Sequence, residues 1–319
     1  MHIRLFSVLL LLLLATDIHA QTAEGRWGRK APLLEANSEF AAVELDGKIY
    51  VLGGYPASRQ TQRTVQIYDI RSDSWSLGPP LPVANNHGMA AAVGGKVYLI
   101  GGQTDAGSTS FVNTVYALDP ATGAWEARAP LPAPRGAGSA VVLDGKIYVA
   151  GGRPPRGADF AVYDPALDRW TALPDMPHQR NHIVGFAAGG RLYFPGGRLE
   201  AGFQSAATAV LDVFDPRTGT WGVAANMPRP RSGFNGVVAF GCFHAWGGEG
   251  PLGMFADHDV YDPRNDAWTH LPNMPIPVHG VAGAAFVEGV IFIPGGGTAV
   301  GGSSGTVLHQ SFTPSMRCD

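Results

Sequence analysis

The chain has 319 residues, of which 45% are hydrophobic, 10% aromatic and 15% charged, too apolar a balance for a disordered polymer. Its 43 glycines and 25 prolines make up about a fifth of the sequence, rich in turn formers yet short of low complexity, which suits many short strands. A formal net charge of −3 supplies no basic field to neutralise phosphates and argues against nucleic acid as a partner.

The first twenty residues read as a secretory signal rather than part of a fold. His2 and Arg4 precede an apolar run from Val8 to Leu14, and Ile18-His19-Ala20 places a small residue at the expected cleavage point. The run is too short to cross a bilayer. The expectation is a mature chain from Gln21, secreted or periplasmic, with no membrane span and one domain over residues 21–319.

A pair of glycines then recurs at Gly53-Gly54, Gly101-Gly102, Gly151-Gly152, Gly196-Gly197, Gly247-Gly248 and Gly295-Gly296, with a period averaging about 48. Trp27, Trp75, Trp125, Trp170, Trp221 and Trp268 precede these pairs by 26 residues in five cases and 27 in the sixth. Loops of free length do not keep such spacing, so each Trp-to-Gly stretch is one rigid unit. A period of this size with these markers predicts an all-β propeller of six four-stranded blades.

One repeat shows the strands. Ala140–Leu143 reads as a first strand, Asp144-Gly145 as a two-residue hairpin turn, and Lys146–Ala150 as a second strand ending at the glycine pair. Phe160–Tyr163 reads as a third strand closed by Asp164-Pro165, and Trp170 lies on the fourth. The last blade lacks a fourth-strand Trp, while Trp27 has no blade before it. Setting the segment around Trp27 beside Val307–Phe312 completes the sixth sheet, closes the ring and removes two exposed edges.

The run Asp46-Gly47-Lys48-Ile49-Tyr50-Val51-Leu52-Gly53-Gly54, followed by Tyr68-Asp69 and Trp75 and repeated with variations six times, resembles the kelch family of β-propellers. The resemblance covers essentially all of the mature chain. It implies the fold; the family's members include sialic acid mutarotases, copper oxidases and protein-recognition domains, so it names no single reaction.

Loop length varies only after the second strands, which places the variable loops at one mouth of the central channel. Aligned on the hairpin glycines, the residues eight positions earlier are Glu39, His87, Ala137, His182, Gly233 and Val281. Those ten positions earlier are Asn37, Asn85, Arg135, Arg180, Arg231 and His279, with Asn86 beside them. Directly after the glycine pairs come Tyr55, Gln103, Arg153, Arg198, Glu249 and Gly297. Extended geometry puts the two offsets on one strand face, which predicts a concave site of mixed charge. Arg135, Arg180, Arg231 and His182 also admit a structural reading, as donors to loop carbonyls.

Three chemistries suit such a site. The arginines, with Asn37, Tyr55, Asn86, Glu249 and His279, suit a small sugar-like or anionic ligand. Glu39 with His87 and His182 suits acid/base catalysis of the mutarotase or epimerase type. The same three residues also suit a divalent metal ion, and no cofactor is otherwise expected. Tyr55, Phe111, Phe203 and Phe255 in the loops keep a protein-docking scaffold as a further alternative. Asp257-His258-Asp259 has metal-ligand character but reads as a solvated turn.

Cys242 begins a second strand at the end of the channel away from the loops, and Cys318 follows the last strand of the neighbouring blade toward the same end. Export favours their oxidation. The alternative leaves Cys242 buried and free and Cys318 on a frayed tail.

Overall fold

Phe40–Leu45 and Lys48–Leu52 pair antiparallel in strict register from Leu45↔Lys48 to Ala41↔Leu52. Their turn places Asp46 at φ 52° and Gly47 at φ 74°, the two left-handed residues that a type I′ hairpin needs. Val65–Asp69 and Ser74–Leu77 add to the outer side and complete blade 1. The computed structural model, which describes residues 21–22, 25–107 and 109–319, repeats this meander around a ring. The segment read as a secretory signal lies outside the described residues.

Blades 2 to 5 begin with the inner strands Met89–Val93, Ser139–Leu143, Phe186–Ala188 and Asn235–Ala239, and end with the outer strands Ala124–Arg128, Arg169–Ala172, Thr220–Ala224 and Ala267–Leu271. Among the described residues there is no helix, and the architecture is an all-β six-bladed propeller. Blade 6 takes Ala285–Val287, Val290–Pro294 and His309–Pro314 from the C-terminal end and Gly25–Arg29 from the N-terminal end. Trp27 stands opposite Phe312 in that last pairing. The ring therefore closes with two strands at its seam hydrogen-bonded to each other.

Small inner-strand residues let six blades converge, and larger side chains fill the gaps farther out. Each marker tryptophan also ties its blade to a neighbour. The indole N–H of Trp75 donates to Ala31 C=O at 2.8 Å, that of Trp170 to Ala129 C=O at 2.8 Å, and that of Trp268 to Ala225 C=O at 2.8 Å. The same three connectors donate backbone N–H groups to Asp73, Asp168 and Asp266, which also accept from Tyr68, Tyr163 and Tyr261. Tyr, Asp and Trp thus form one repeated clasp between blades.

The structure joins Cys242 to Cys318 across a sequence separation of 76, with Cα atoms 5.0 Å apart. The tail is held there as well by Cys318 N–H donating to Phe240 C=O and by Arg317 over the Phe240 ring.

Candidate functional site

Just before each inner strand one residue turns left-handed: Glu39, His87, Ala137, His182, Gly233 and Gly280, with φ between 50° and 66°. Each donates its backbone N–H to the carbonyl of its counterpart in the preceding blade, Glu39 to Gly280, His87 to Glu39, and so on to Gly280 donating to Gly233, at 2.6 to 3.1 Å. Six hydrogen bonds therefore form a closed belt across the channel. The belt offsets the cost of about 1 kcal/mol or more that each non-glycine member incurs in this conformation.

The belt corrects two expectations. In blade 6 its member is Gly280, not Val281, because nine residues rather than eight separate it from the hairpin glycine. The extra residue is absorbed where Val281–Ala282 runs parallel to the first strand of blade 1 and the chain breaks at Gly283, φ 137°. His279 therefore matches Asn86, Asn181 and Ser232, not Arg231. The second correction concerns the face. A left-handed residue interrupts the alternation of an extended strand, so the two offsets do not point the same way.

Arg135, Arg180 and Arg231 turn into their own blades. Arg135 donates to Asp159 C=O at 2.7 Å, Arg180 to Phe194 C=O at 2.7 Å and to the buried Asp212 at 2.8 Å, and Arg231 lies 3.0 Å from the buried Asp259. Asn37 and Asn85 likewise donate to Gly53 and Gly101 carbonyls. These five residues satisfy backbone and buried carboxylate acceptors and do not reach the axis.

The remaining candidates meet above the belt. His87 Nε2 lies 3.1 Å from Glu39 Oε2 and 3.0 Å from Arg153 Nη2, and His182 Nε2 lies 2.8 Å from Arg198 Nη2. Arg198 also reaches Glu249 Oε1 at 2.6 Å, and Arg153 reaches Gln103 Oε1 at 3.1 Å. His279 Nε2 faces the carbonyls of Ala299 and Gly301, while its Nδ1 sits 3.6 Å from Glu39 and 3.7 Å from Glu249. Tyr55 closes one side, its ring 6.2 Å from that of His87.

Asn86 and Asn181 set the imidazoles. The amide nitrogen of Asn86 donates to Thr61 Oγ1 and Asp105 C=O, and that of Asn181 to Arg198 C=O and Glu200 C=O. Each Oδ1 then faces the Nδ1 of His87 or His182 at 2.5 Å, so Nδ1 carries the hydrogen and Nε2 presents a lone pair to the axis. Burial and the nearby Arg198 and Arg153 push His182 well below the ordinary imidazole value, and burial outweighs Glu39 to lower His87 as well. Burial works against the Glu39 charge, but His87, His279 and Arg198 overcome it and hold the carboxyl below the usual carboxylate range. Sequence reading missed Asn181 and Ser232; a polar residue immediately before every belt member except Ala137 was the available signal.

One donor atom each of Glu39, His87 and His182 lie within 4.8 Å of one another. That spacing suits a metal ion, but the imidazole lone pairs already accept from guanidinium groups, and two positive charges beside a cation oppose it. The cluster is a charge-balanced polar network more than a vacant ligand set.

The concave site of mixed charge is a covered cup. Glu39, His87, His182, Arg153, Arg198, Glu249 and Tyr55 are all at most 9% exposed, and the space at the belt is only about 40 Å³. The glycine-rich loop 297–306 lies over it, with Gly301 N–H donating to Glu249 Oε2 at 2.7 Å and Gly302 packed so closely on Tyr55 that a Cβ would meet its hydroxyl at 2.1 Å. Below the belt the channel changes character. There Ala90, Ala91, Val142, Val184 and Val237 help line a cavity of about 390 Å³ in which Glu44 is the one charged residue among the described lining.

Residues 18–178, about half the chain, match the KLHDC2/KLHL20/DRC7 Kelch-repeats domain. Kelch-like protein 36 of Mus musculus is 48% identical over 54 residues, 17% of this chain and 9% of that protein. An F-box/kelch-repeat protein of Arabidopsis thaliana is 36% identical over 62 residues, 19% of this chain and 15% of that protein. The matched stretch thus spans a small fraction of either relative. Among solved structures, that of YjhT superposes with a TM-score of 0.71 over 88% of this chain and 95% of that one, at 15% identity, a likeness of fold alone.

Proposed function

The chain belongs to the kelch-repeat family, and on that premise we propose that it binds a small sugar-like or anionic ligand in the polar cup at the loop-rich end of its channel. One observation carries this reading: Arg153 and Arg198 converge on the axis and donate there to the Nε2 atoms of His87 and His182. A ligand carboxylate or phosphate accepts from the guanidinium groups bidentately. The two imidazole lone pairs then accept from ligand hydroxyls, so nothing buried loses a partner. Loop 297–306 must part to admit such a ligand, since it packs on Tyr55 and donates to Glu249 over the arginines. Export to the periplasm or the exterior belongs to the same reading, supported by the signal-like first twenty residues and by the Cys242–Cys318 bridge.

A second reading, proton transfer in a mutarotase or epimerase, is favoured by the Glu39–His87 contact of 3.1 Å. His87 Nε2 takes the proton of a sugar hydroxyl, and the Glu39 carboxylate stabilises the imidazolium that forms. A docking role is favoured by Leu252, 96% exposed at the tip of a mouth hairpin.

Calorimetric titration of neutral sugars and sugar acids, with NMR of anomer exchange, tests these readings. Binding weakened in Arg198→Met, in protein shown by circular dichroism to be folded, supports the first. Accelerated anomer exchange lost in His87→Gln supports the second. Absence of any heat or thermal shift at millimolar ligand overturns both.

A further inference from the structure

The sequence Asp257-His258-Asp259 resolves in the structure into something other than a solvated turn. Strand alternation sends His258 inward, where its Nε2 lies 3.0 Å from His244 Nδ1, and leaves both aspartates on the other side. Asp259 is paired in register with His270 of the adjoining outer strand Ala267–Leu271, and His270 Nδ1 lies 2.8 Å from Asp259 Oδ1. We propose that Asp257, Asp259 and His270 form a binding site for a divalent transition-metal ion on the flank of blade 5, separate from the central cup.

One donor atom from each of the three lies within 4.8 Å of the others. Metal–ligand distances near 2.0–2.2 Å place ligand atoms roughly 3 Å apart, so small side-chain movements suffice. The ligand set is prepared from behind. Arg231, fully buried and tied to the carbonyls of Ala245 and Asp257, takes Asp259 Oδ2 at 3.0 Å and leaves Oδ1 turned toward His270. This is the positioning that outer partners give to metal-binding carboxylates. Arg229 lies 3.4 Å from Asp257 on a side chain 55% exposed, so it can swing into solvent when a cation replaces it. The recess beside the cluster, lined also by Met254, Phe255 and Asn273, has room for water to complete the coordination.

Blade 4 supplies an internal comparison. There Arg180 takes Asp212 at 2.8 Å as Arg231 takes Asp259, but the residues matching Asp257 and His270 are Val210 and Val223, and the imidazole 2.9 Å from Asp212 is that of His178, which stands where blade 5 has Arg229. Two ligands stand there where blade 5 has three, and a soft or borderline cation gains its affinity from the third.

Untagged mature protein, titrated with Zn²⁺ and Ni²⁺ by calorimetry and with Cu²⁺ by electron paramagnetic resonance, tests this. The expected result is one equivalent bound, with nitrogen coupling from one imidazole. His270→Ala and Asp257→Asn should each weaken binding by roughly tenfold or more, and His178→Ala and His182→Gln should leave it unchanged. Undiminished binding in His270→Ala, loss of binding in His182→Gln, or no binding at millimolar metal overturns the proposal.

Discussion

His87 Nε2 stands 3.1 Å from the Glu39 carboxylate and contacts the Arg153 guanidinium on its other side, so one nitrogen faces an acceptor and a donor together. Its protonation state decides which contact is favourable, and burial keeps it neutral. The Glu39 charge is therefore held by the network as a whole.

The first prediction follows from that charge. The Glu39 carboxyl is held below its ordinary value of 4.5 in the folded state, so the stability it contributes is present above about that pH. As pH falls further the unfolded chain takes up a proton that the folded one refuses, and that stability is lost. Glu39→Gln should flatten the acid limb of a melting-temperature profile while lowering stability at neutral pH by about 1–3 kcal/mol, the cost of leaving buried partners of the network unsatisfied. An acid limb of unchanged slope contradicts this.

Buried imidazoles give the second. Burial lowers His244 and His309 to about 4, and pushes His182 and His258 well below the ordinary 6.5. The unfolded chain protonates these groups first, so stability should decline from about pH 6.5 toward 4. In NMR titration the His244 and His309 ring signals should move near pH 4; midpoints near 6.5 would contradict it.

The belt gives the third. Ala137, at φ 59°, should accept glycine with no loss or a gain of up to about 1 kcal/mol. Gly280, at φ 66°, should not accept alanine, because a Cβ would meet Glu39 Oε1 at 2.7 Å. Chemical denaturation should show the midpoint lowered in Gly280→Ala and unchanged or raised in Ala137→Gly.

The seam gives the fourth. Deleting residues 21–32 removes the strand Gly25–Arg29 and bares His309–Pro314, which should lower the melting midpoint by more than about 2–4 °C and promote aggregation. Reducing the Cys242–Cys318 bridge, which closes a loop of sequence separation 76, should cost roughly 4 kcal/mol by loop entropy. Either change leaving the midpoint in place would show that the other latch alone closes the ring.

Periodicity makes the blades legible in the amino-acid sequence itself. A tryptophan and a glycine pair at constant spacing can persist only if strands of fixed length lie between them, and Asp-Gly at a hairpin names its turn through the left-handed dihedrals that it tolerates. Arg135 and Arg198 show where that legibility stops. Both are arginines near the channel in sequence, yet one donates into its own blade and the other to the axis.

Local chemistry thus determined six blades, their turns and the closure of the last by Trp27, because those rest on strand period and edge pairing. The tertiary structure decided which polar residues meet, because a left-handed residue before each inner strand redirects the side chains around it. Gly280 in place of Val281 depends on one extra residue that Gly283 absorbs. The cover over the cup depends on loop 297–306 meeting Glu249 and His279. Gly301 and Glu249 meet across 52 residues of chain. Such contacts follow from how six sheets are placed around one axis, and no spacing within a single repeat encodes them.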